Sequence, residues 1–435
     1  MESSEKDLYA SSDYRRTRGA YAMECTFEYF VSILVSDAYL SSLLDHMGVS
    51  DGTIGIITSL ISFAFLFQLF ALFAVKRIKN VKRASIFFHF VSQLFFMSVF
   101  LVSFLPAARE YKTAIVIGCV IFAYFGNYLV TSVIFKWGMS YVDDRKRASF
   151  AATKEMISLI SGTVFTFIIG YAVDRFAEAG NVEGGFLFVA GAILASSILD
   201  LICLIVMKSP KKVKEEERGE PIIQVVKTLF KNKAFICILV AGMLLFSSEY
   251  LTNSFMGIYK TSKTELNFTV GEVQIINILG CLFRFALSKP LGKFSDKTSY
   301  STGFLIGSLM LCLCFFLNIF TTPSTRWMVY LYTLLYHGSR AATNQNFLNM
   351  TFDYVENKYF VQASSIKAAA AGTCGFLSTL LGARLLSSVQ ASGNTVFGIE
   401  MRGQQLLSII SFTLALILSF FVLFVLKKQK RIDEK

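Results

Sequence analysis

Twelve apolar runs, each about twenty residues long and separated by short polar stretches, govern what this chain can fold into. An α-helix rises about 1.5 Å per residue, so a run of about twenty spans the ~30 Å hydrocarbon core of a bilayer. The runs cover 20–44, 53–75, 84–106, 113–137, 150–173, 185–207, 234–260, 269–290, 301–320, 327–350, 362–388 and 404–426. Lipid offers no hydrogen bonds to a backbone, so each run is read as a helix, the only spanning element that satisfies itself. Composition supports this: 17% of residues are charged, where a soluble chain carries about 25%. The 44 Phe are spread through the runs instead of marking one core. The five Pro (106, 210, 221, 290, 323) fall in loops or at run ends. The expectation is an all-α membrane protein with twelve transmembrane helices. Disorder, a disulfide-stapled secreted fold and most nucleic-acid binders are excluded.

The first twenty residues lack an apolar core, so no cleavable leader is expected there. Cytoplasmic loops hold the positive excess in such proteins. Counting Lys289 and Arg384, at run ends, with their adjoining loops, 29 Lys and Arg lie in the N-terminal tail, the even-to-odd loops, the central loop and the C-terminal tail. Seven lie in the opposite loops and six within runs. Both termini are therefore expected in the cytoplasm. The +12 charge reads as an orientation signal and calls for no nucleic-acid partner. The single long charged linker, 208–233, divides the chain six plus six. The expected organisation is a tail at 1–19, bundles at 20–207 and 234–426, and a second tail at 427–435. Apolar spacing through Ile222, Val225, Val226 and Leu229 predicts a short interfacial helix before span seven.

The eight Cys fall inside or at the ends of apolar runs, without a CxxC pair or a nearby His, and read as reduced packing residues. No metal or cofactor is expected. The halves show internal similarity. GVSDGTIGII (48–57) resembles NFTVGEVQII (267–276), and 141–162 resembles 354–375, with Lys154 falling on Lys367 and Gly162 on Gly375. The match has the form of a parallel duplication. The loop PLGKFSDKTSY (290–300) is similar, through Gly292, Asp296 and Lys297, to the Gly-x-x-x-Asp-Arg/Lys loop of the major facilitator superfamily. The first-half counterpart, 74–85, keeps Lys76, Arg77, Lys79, Lys82 and Arg83 but lacks the Gly and the Asp. Arg145–Ala148 and IIGYAVDRF (168–176) are also similar to that family. The resemblance implies two six-helix bundles working by alternating access, with a gating role for Asp296. The Gly-Pro motif of drug/proton antiporters in span five and the Glu-x-x-Glu-Arg-Phe motif of peptide symporters in span one are both missing.

A charge at the bilayer centre costs at least about 2.5 kcal/mol, so each one within a run is a candidate site. Glu249 lies mid-span in run seven, with His337 and Arg340 mid-span in run ten and Arg284 in run eight. The resemblance places these three runs beside the substrate path. Glu28 is the first-half candidate carboxylate, and Asn127 a neutral hydrogen-bonding partner for substrate. Asp37 lies nearer the outer end of run one. Lys154 and Lys367 read as snorkelling side chains, Arg384 as interfacial and His89 as a packing histidine, while Asp200 has no evident partner. His46 and Asp51 have the spacing of a glycerolipid acyltransferase motif, but Asp51 fits better as part of a helix N-cap. No P-loop, nucleophile triad or zinc spacing occurs, so the chain is not expected to be an enzyme.

The function expected is secondary transport of a small polar solute (a sugar, glycoside or organic acid), with protons as the coupling ion, by a monomer in a bacterial inner membrane. The rival is proton-coupled export of drugs or metabolites, and a non-transporting receptor or membrane enzyme ranks third. The topology is testable by cysteine labelling of intact cells. Residues introduced within 290–300 or at Lys211 should stay unreactive to an impermeant reagent, and labelling there would overturn the orientation.

Overall fold

The computed structural model describes residues 11–35, 37–49, 57, 60, 63–70, 80–209, 221–261, 265–268, 270–396 and 398–431. The first half contains α1 (Ser12–Leu34), α2 (Asp37–His46), α3 (Val81–Leu101), α4 (Arg109–Met139), α5 (Arg147–Glu178) and α6 (Val182–Val206). The amphipathic α7 (Ile222–Lys231) follows the central linker. The second half contains α8 (Lys233–Thr261), α9 (Val270–Lys297), α10 (Tyr300–Asn318), α11 (Met328–Tyr354), α12 (Phe360–Ala391) and α13 (Gly403–Phe424). Side-chain caps start several of them. Asn80 accepts from the Arg83 N–H, Asn181 from Gly184 and Ser299 from Thr302, each satisfying an orphan donor of the first turn.

Among the described residues, nine helices are long and apolar enough to cross a membrane. Expected spans one, two and ten are the exceptions. Span one is two helices, α1 and α2, with the break near Val35. Span two is described only in part, including a 3-10 segment at Phe65–Phe70. Span ten is one continuous helix, α11, whose composition is lowered by polar residues that it buries, including Thr343, Gln345, Asn346 and Asn349. The spanning helices expose large apolar side chains: Phe167 is 74% accessible, and Phe122, Ile168, Ile205 and Leu381 are also exposed. Such a surface suits lipid and would be a liability in water.

Three expectations need correction. The N-terminal tail is helical from Ser12, and Tyr14 and Thr17 are buried. Thr17 accepts from the Lys208 N–H, and Asp13 pairs with Lys208 at 2.8 Å, which tacks this extension to the end of α6. The hydrogen bond from Lys208 also holds the Asp13 carboxyl below its ordinary pKa. Pro290 lies inside α9, because the helix continues to Lys297 and takes most of the expected 290–300 loop with it. The cost of one missing N–H is borne near the end of the helix. Lys367 does not snorkel. It is 1% exposed, and its ammonium donates to the Phe347 carbonyl and to Thr351 Oγ1.

The chain packs as two compact units, Met1–Arg147 with Lys154–Ile222, and Ala148–Thr153 with Ile223–Lys435. In the first, α1 packs on α6, α6 on α3 and α3 on α4; in the second, α8 packs on α13, α13 on α10 and α10 on α11. The order is the same, as a duplication requires. The repeat extends to side chains. A Cβ at Gly162 would lie 2.5 Å from the Tyr29 ring, and one at Gly375 would lie 2.9 Å from the Tyr250 ring. Tyr29 follows Glu28 and Tyr250 follows Glu249, so the two candidate carboxylates occupy equivalent positions. Between α12 and α13 a short hairpin pairs Thr395–Val396 with Ile399–Glu400, turning through Gly398 at φ +77°.

Close helix approach predicts a measurable stability effect. A Cβ at Gly242 in α8 would sit 2.4 Å from the buried Phe347 ring of α11. Gly242→Ala should therefore destabilise by about 1–3 kcal/mol through overpacking, seen as a lower melting temperature in detergent.

Candidate functional sites in each unit

In the first unit, four helices deliver polar side chains to one buried chain of hydrogen bonds. Glu24 and Glu28 are one turn apart on α1, as are His89 and Gln93 on α3, so each pair shares a helix face. Asn127 comes from α4 and Asp200 from α6. Gly126 permits the approach of α4 to α3, since a Cβ there would meet the Phe88 carbonyl oxygen and Ser92 Cβ at 3.1 Å. Asn127 Nδ2 donates to Glu28 Oε1 at 3.2 Å. Its Oδ1 is then the acceptor for His89 Nδ1, also at 3.2 Å. His89 Nε2 faces Asp200 Oδ2 at 2.6 Å, with both side chains at most 2% exposed. Gln93 Nε2 lies 3.4 Å from the same imidazole nitrogen.

Beside this chain, Cys25 Sγ donates to Glu24 Oε2 at 3.1 Å and accepts from Lys154 Nζ at 3.2 Å. Lys154 also lies over the Tyr21 ring, 4.9 Å from its centroid. Lys154 is thus a partner of a buried network, not a snorkelling group. His89 is a buried histidine with both ring nitrogens engaged, Cys25 is a free thiol that also bonds Glu24 and Lys154, and Asp200 has a clear partner. Sequence reasoning gave Glu28 and Asn127 but missed Glu24, His89, Gln93 and Asp200. The available signal was the i, i+4 spacing of His89 and Gln93, together with one acid in the otherwise apolar α6.

In the second unit, Arg340 Nη1 donates to Glu249 Oε2 at 2.6 Å. The Glu249 side chain is 2% exposed and that of Arg340 29%, so the guanidinium is the accessible end of the pair. Glu249 Oε1 is buried without a hydrogen-bond partner among the described residues. His337, one turn before Arg340, packs against Gly280 of α9, where a Cβ would come within 2.5 Å of the ring. Its Nδ1 is buried without a partner among the described residues, and Arg284 and Arg340 both act on it electrostatically. Of the two basic residues on α11, Arg340 rather than His337 meets Glu249.

The Gly292, Asp296, Lys297 motif lies at the end of α9. Gly292 and Asp296, one turn apart, address the same segment, 148–153, which groups with the second unit. A Cβ at Gly292 would stand 2.9 Å from the Ala148 carbonyl oxygen. The Asp296 carboxylate accepts from the N–H groups of Ala148 and Ser149 at 3.0 and 2.9 Å and from Ser149 Oγ, an N-terminal cap. Lys297 is exposed. Residues 74–79 of the counterpart loop, and Asp51 of the acyltransferase-like spacing, lie outside the described residues. Nearby, Lys82 donates to the Ile205 carbonyl at the end of α6.

The family model described as Major Facilitator Superfamily matches residues 22–383. The chain belongs to this superfamily. No curated protein sequence matches it. Solved structures of the same fold do. A proton:xylose symporter, XylE, aligns at TM-score 0.72 with 12% identity over 98% of each chain. A bacterial homologue of the iron transporter ferroportin aligns at 0.69 with 11% identity, over 96% of this chain and 100% of that one. The E. coli fucose:proton symporter FucP aligns at 0.67 with 9% identity, over 94% and 98%. The protein is thus a multi-pass membrane transporter of major-facilitator fold, not an enzyme.

The buried His89–Asp200 pair of the first unit gives a stability prediction. Asp200→Ala leaves His89 Nε2 buried without its partner and should cost about 3–5 kcal/mol. Replacing both residues by Leu should restore much of that. Melting curves of the single and double variants in detergent decide it, and equal losses in the two would refute the pairing.

Proposed function

We propose that this chain takes up a small polar solute by proton-coupled alternating access, as a monomer in a bacterial inner membrane with both termini in the cytoplasm. The observation that carries the proposal is the Glu249–Arg340 pair, a carboxylate withdrawn from solvent with one oxygen unpartnered among the described residues and an arginine that is still accessible. A carboxylate there must be matched by a cation or take a proton, and the two states place different demands on Arg340. When Glu249 is ionised it holds the guanidinium. When it is protonated, Arg340 is free to donate to a polar or anionic group of the solute.

Three further points support the reading. Glu28 stands at the repeat-equivalent position in a second hydrogen-bonded network. Asp296 caps segment 148–153 at the motif loop, as a gating residue should. Two structures of the same fold are of proton symporters, one for xylose and one for fucose. Arg284 and His337 complete the proposed binding set in the second unit, with Glu28 and Asn127 in the first.

Glu249→Gln mimics the protonated carrier. In proteoliposomes it should abolish most solute accumulation driven by a pH gradient while sparing exchange of internal for external solute, which needs no deprotonation. Arg340→Ala should lose both activities and stability together, because it leaves a buried carboxylate unpaired. Undiminished gradient-driven uptake by Glu249→Gln would remove Glu249 as the proton site and transfer that role to Glu28.

A further inference from the structure

The first unit contains more acid than its hydrogen bonds require. Glu24, His89 and Asp200 are each about 1% exposed, and each offers a ligand atom within 4.8 Å of the other two. The titratable groups around them are few: Tyr21, Cys25 and Glu28 from α1, Lys154 from α5 and Cys203 from α6. Three carboxylates therefore face one lysine and one histidine. Two buried oxygens have no hydrogen-bond partner among the described residues: Asp200 Oδ1 and Gln93 Oε1, the latter on a carboxamide that already touches the His89 ring.

The histidine is held as a metal-binding histidine is held. Asn127 donates to Glu28, so its oxygen must accept the His89 Nδ1 proton, and this fixes Nε2 as the nitrogen that faces Asp200. A ligating imidazole has the same arrangement, with its remote N–H anchored by an acceptor and the near nitrogen aimed at the ion. With no ion, the 2.6 Å contact to the Asp200 carboxylate needs one proton between the two groups. Whichever atom carries it, the His89–Asp200 pair as a whole is neutral. Lys154 balances a second carboxylate, and the third is neutral only if it carries a proton.

We propose that Glu24, His89, Asp200 and Gln93 form a binding site for a divalent transition-metal cation, taken up in exchange for two protons. The balance is simple. The ion displaces the proton shared by His89 Nε2 and Asp200 and one further proton from the remaining acids, leaving neutral imidazole, two carboxylates, an amide oxygen and M²⁺. The site is then electrically neutral, and Lys154 still answers Glu28. One imidazole with three oxygen donors suits Mn²⁺, Fe²⁺, Co²⁺ or Zn²⁺ and not a hard Ca²⁺ site or a thiolate copper site. Bonds of about 2.0–2.2 Å would bring the ligands to roughly 3–3.5 Å apart, so Glu24 must close in and His89 and Asp200 must part slightly. The proposal does not depend on the identity of the transported solute, because binding is read without transport.

The test uses the full chain, purified in detergent without a polyhistidine tag and stripped with chelator. Mn²⁺ and Zn²⁺ are titrated calorimetrically in buffers of different ionisation enthalpy. One ion should bind per chain, with release of about two protons near neutral pH. His89→Gln and Asp200→Asn should each weaken binding at least about 10-fold, whereas Glu110→Gln, at an exposed position, should not. If Asp200→Asn does not fold, His89→Gln and Gln93→Leu carry the same comparison. No saturable binding up to millimolar ion, binding that the ligand variants retain, or binding without proton release would each overturn the proposal.

Discussion

Withdrawing charge from water into a lipid-embedded helix bundle is the constraint on which the rest of this structure depends. Each buried ion costs several kcal/mol unless another group answers it. Among the described residues the chain buries ionisable side chains in both units and answers several of them from a different helix: His89 of α3 with Asp200 of α6, Lys154 of α5 with Cys25 of α1, and Arg340 of α11 with Glu249 of α8. Such pairs fix helix register. A helix that slid by one residue would turn its charge about 100° away from its partner and leave two unpaired ions in a low dielectric.

The two units use one architecture for different electrostatic ends. Glu28 and Glu249 are equivalent, each followed by a tyrosine that occupies the gap left by a glycine on the helix opposite. Their surroundings have diverged. Around Glu28 the additional charge is mainly acidic, from Glu24 and Asp200. Around Glu249 it is basic, from Arg340. A duplicated scaffold can thus surround equivalent carboxylates with charge of opposite sign, because the backbone fixes the positions and a few substitutions set the sign.

The features set by one helix at a time were legible in the sequence: the positions of the spans that are described, apart from the break in span one, the short amphipathic helix at Ile222–Lys231, and the repeat linking Gly162 to Gly375. The Glu249–Arg340 contact was within reach because both are mid-span charges of opposite sign. The features that depend on which helices touch were not. His89 and Asp200 are 111 residues apart, and neither has a mid-span opposite charge at a position that the family resemblance made central. Lys367 was misjudged for a related reason, since its acceptors are a backbone carbonyl and a threonine, groups that hydropathy counts do not register.

The Gly-x-x-x-Asp motif shows how a sequence pattern and a contact become the same statement. Four residues make one helical turn, so Gly292 and Asp296 must face the same neighbour. The glycine removes the Cβ that would collide with the Ala148 carbonyl, and this approach lets the carboxylate one turn later reach the N–H groups of Ala148 and Ser149. An alanine at 292 would therefore weaken the cap without touching it. Asparagine at 296 would keep one acceptor and lose the charge that favours a helix N-terminus. The spacing is thus a requirement of geometry: it couples a close approach to a charged helix cap, and neither half of the motif achieves that alone.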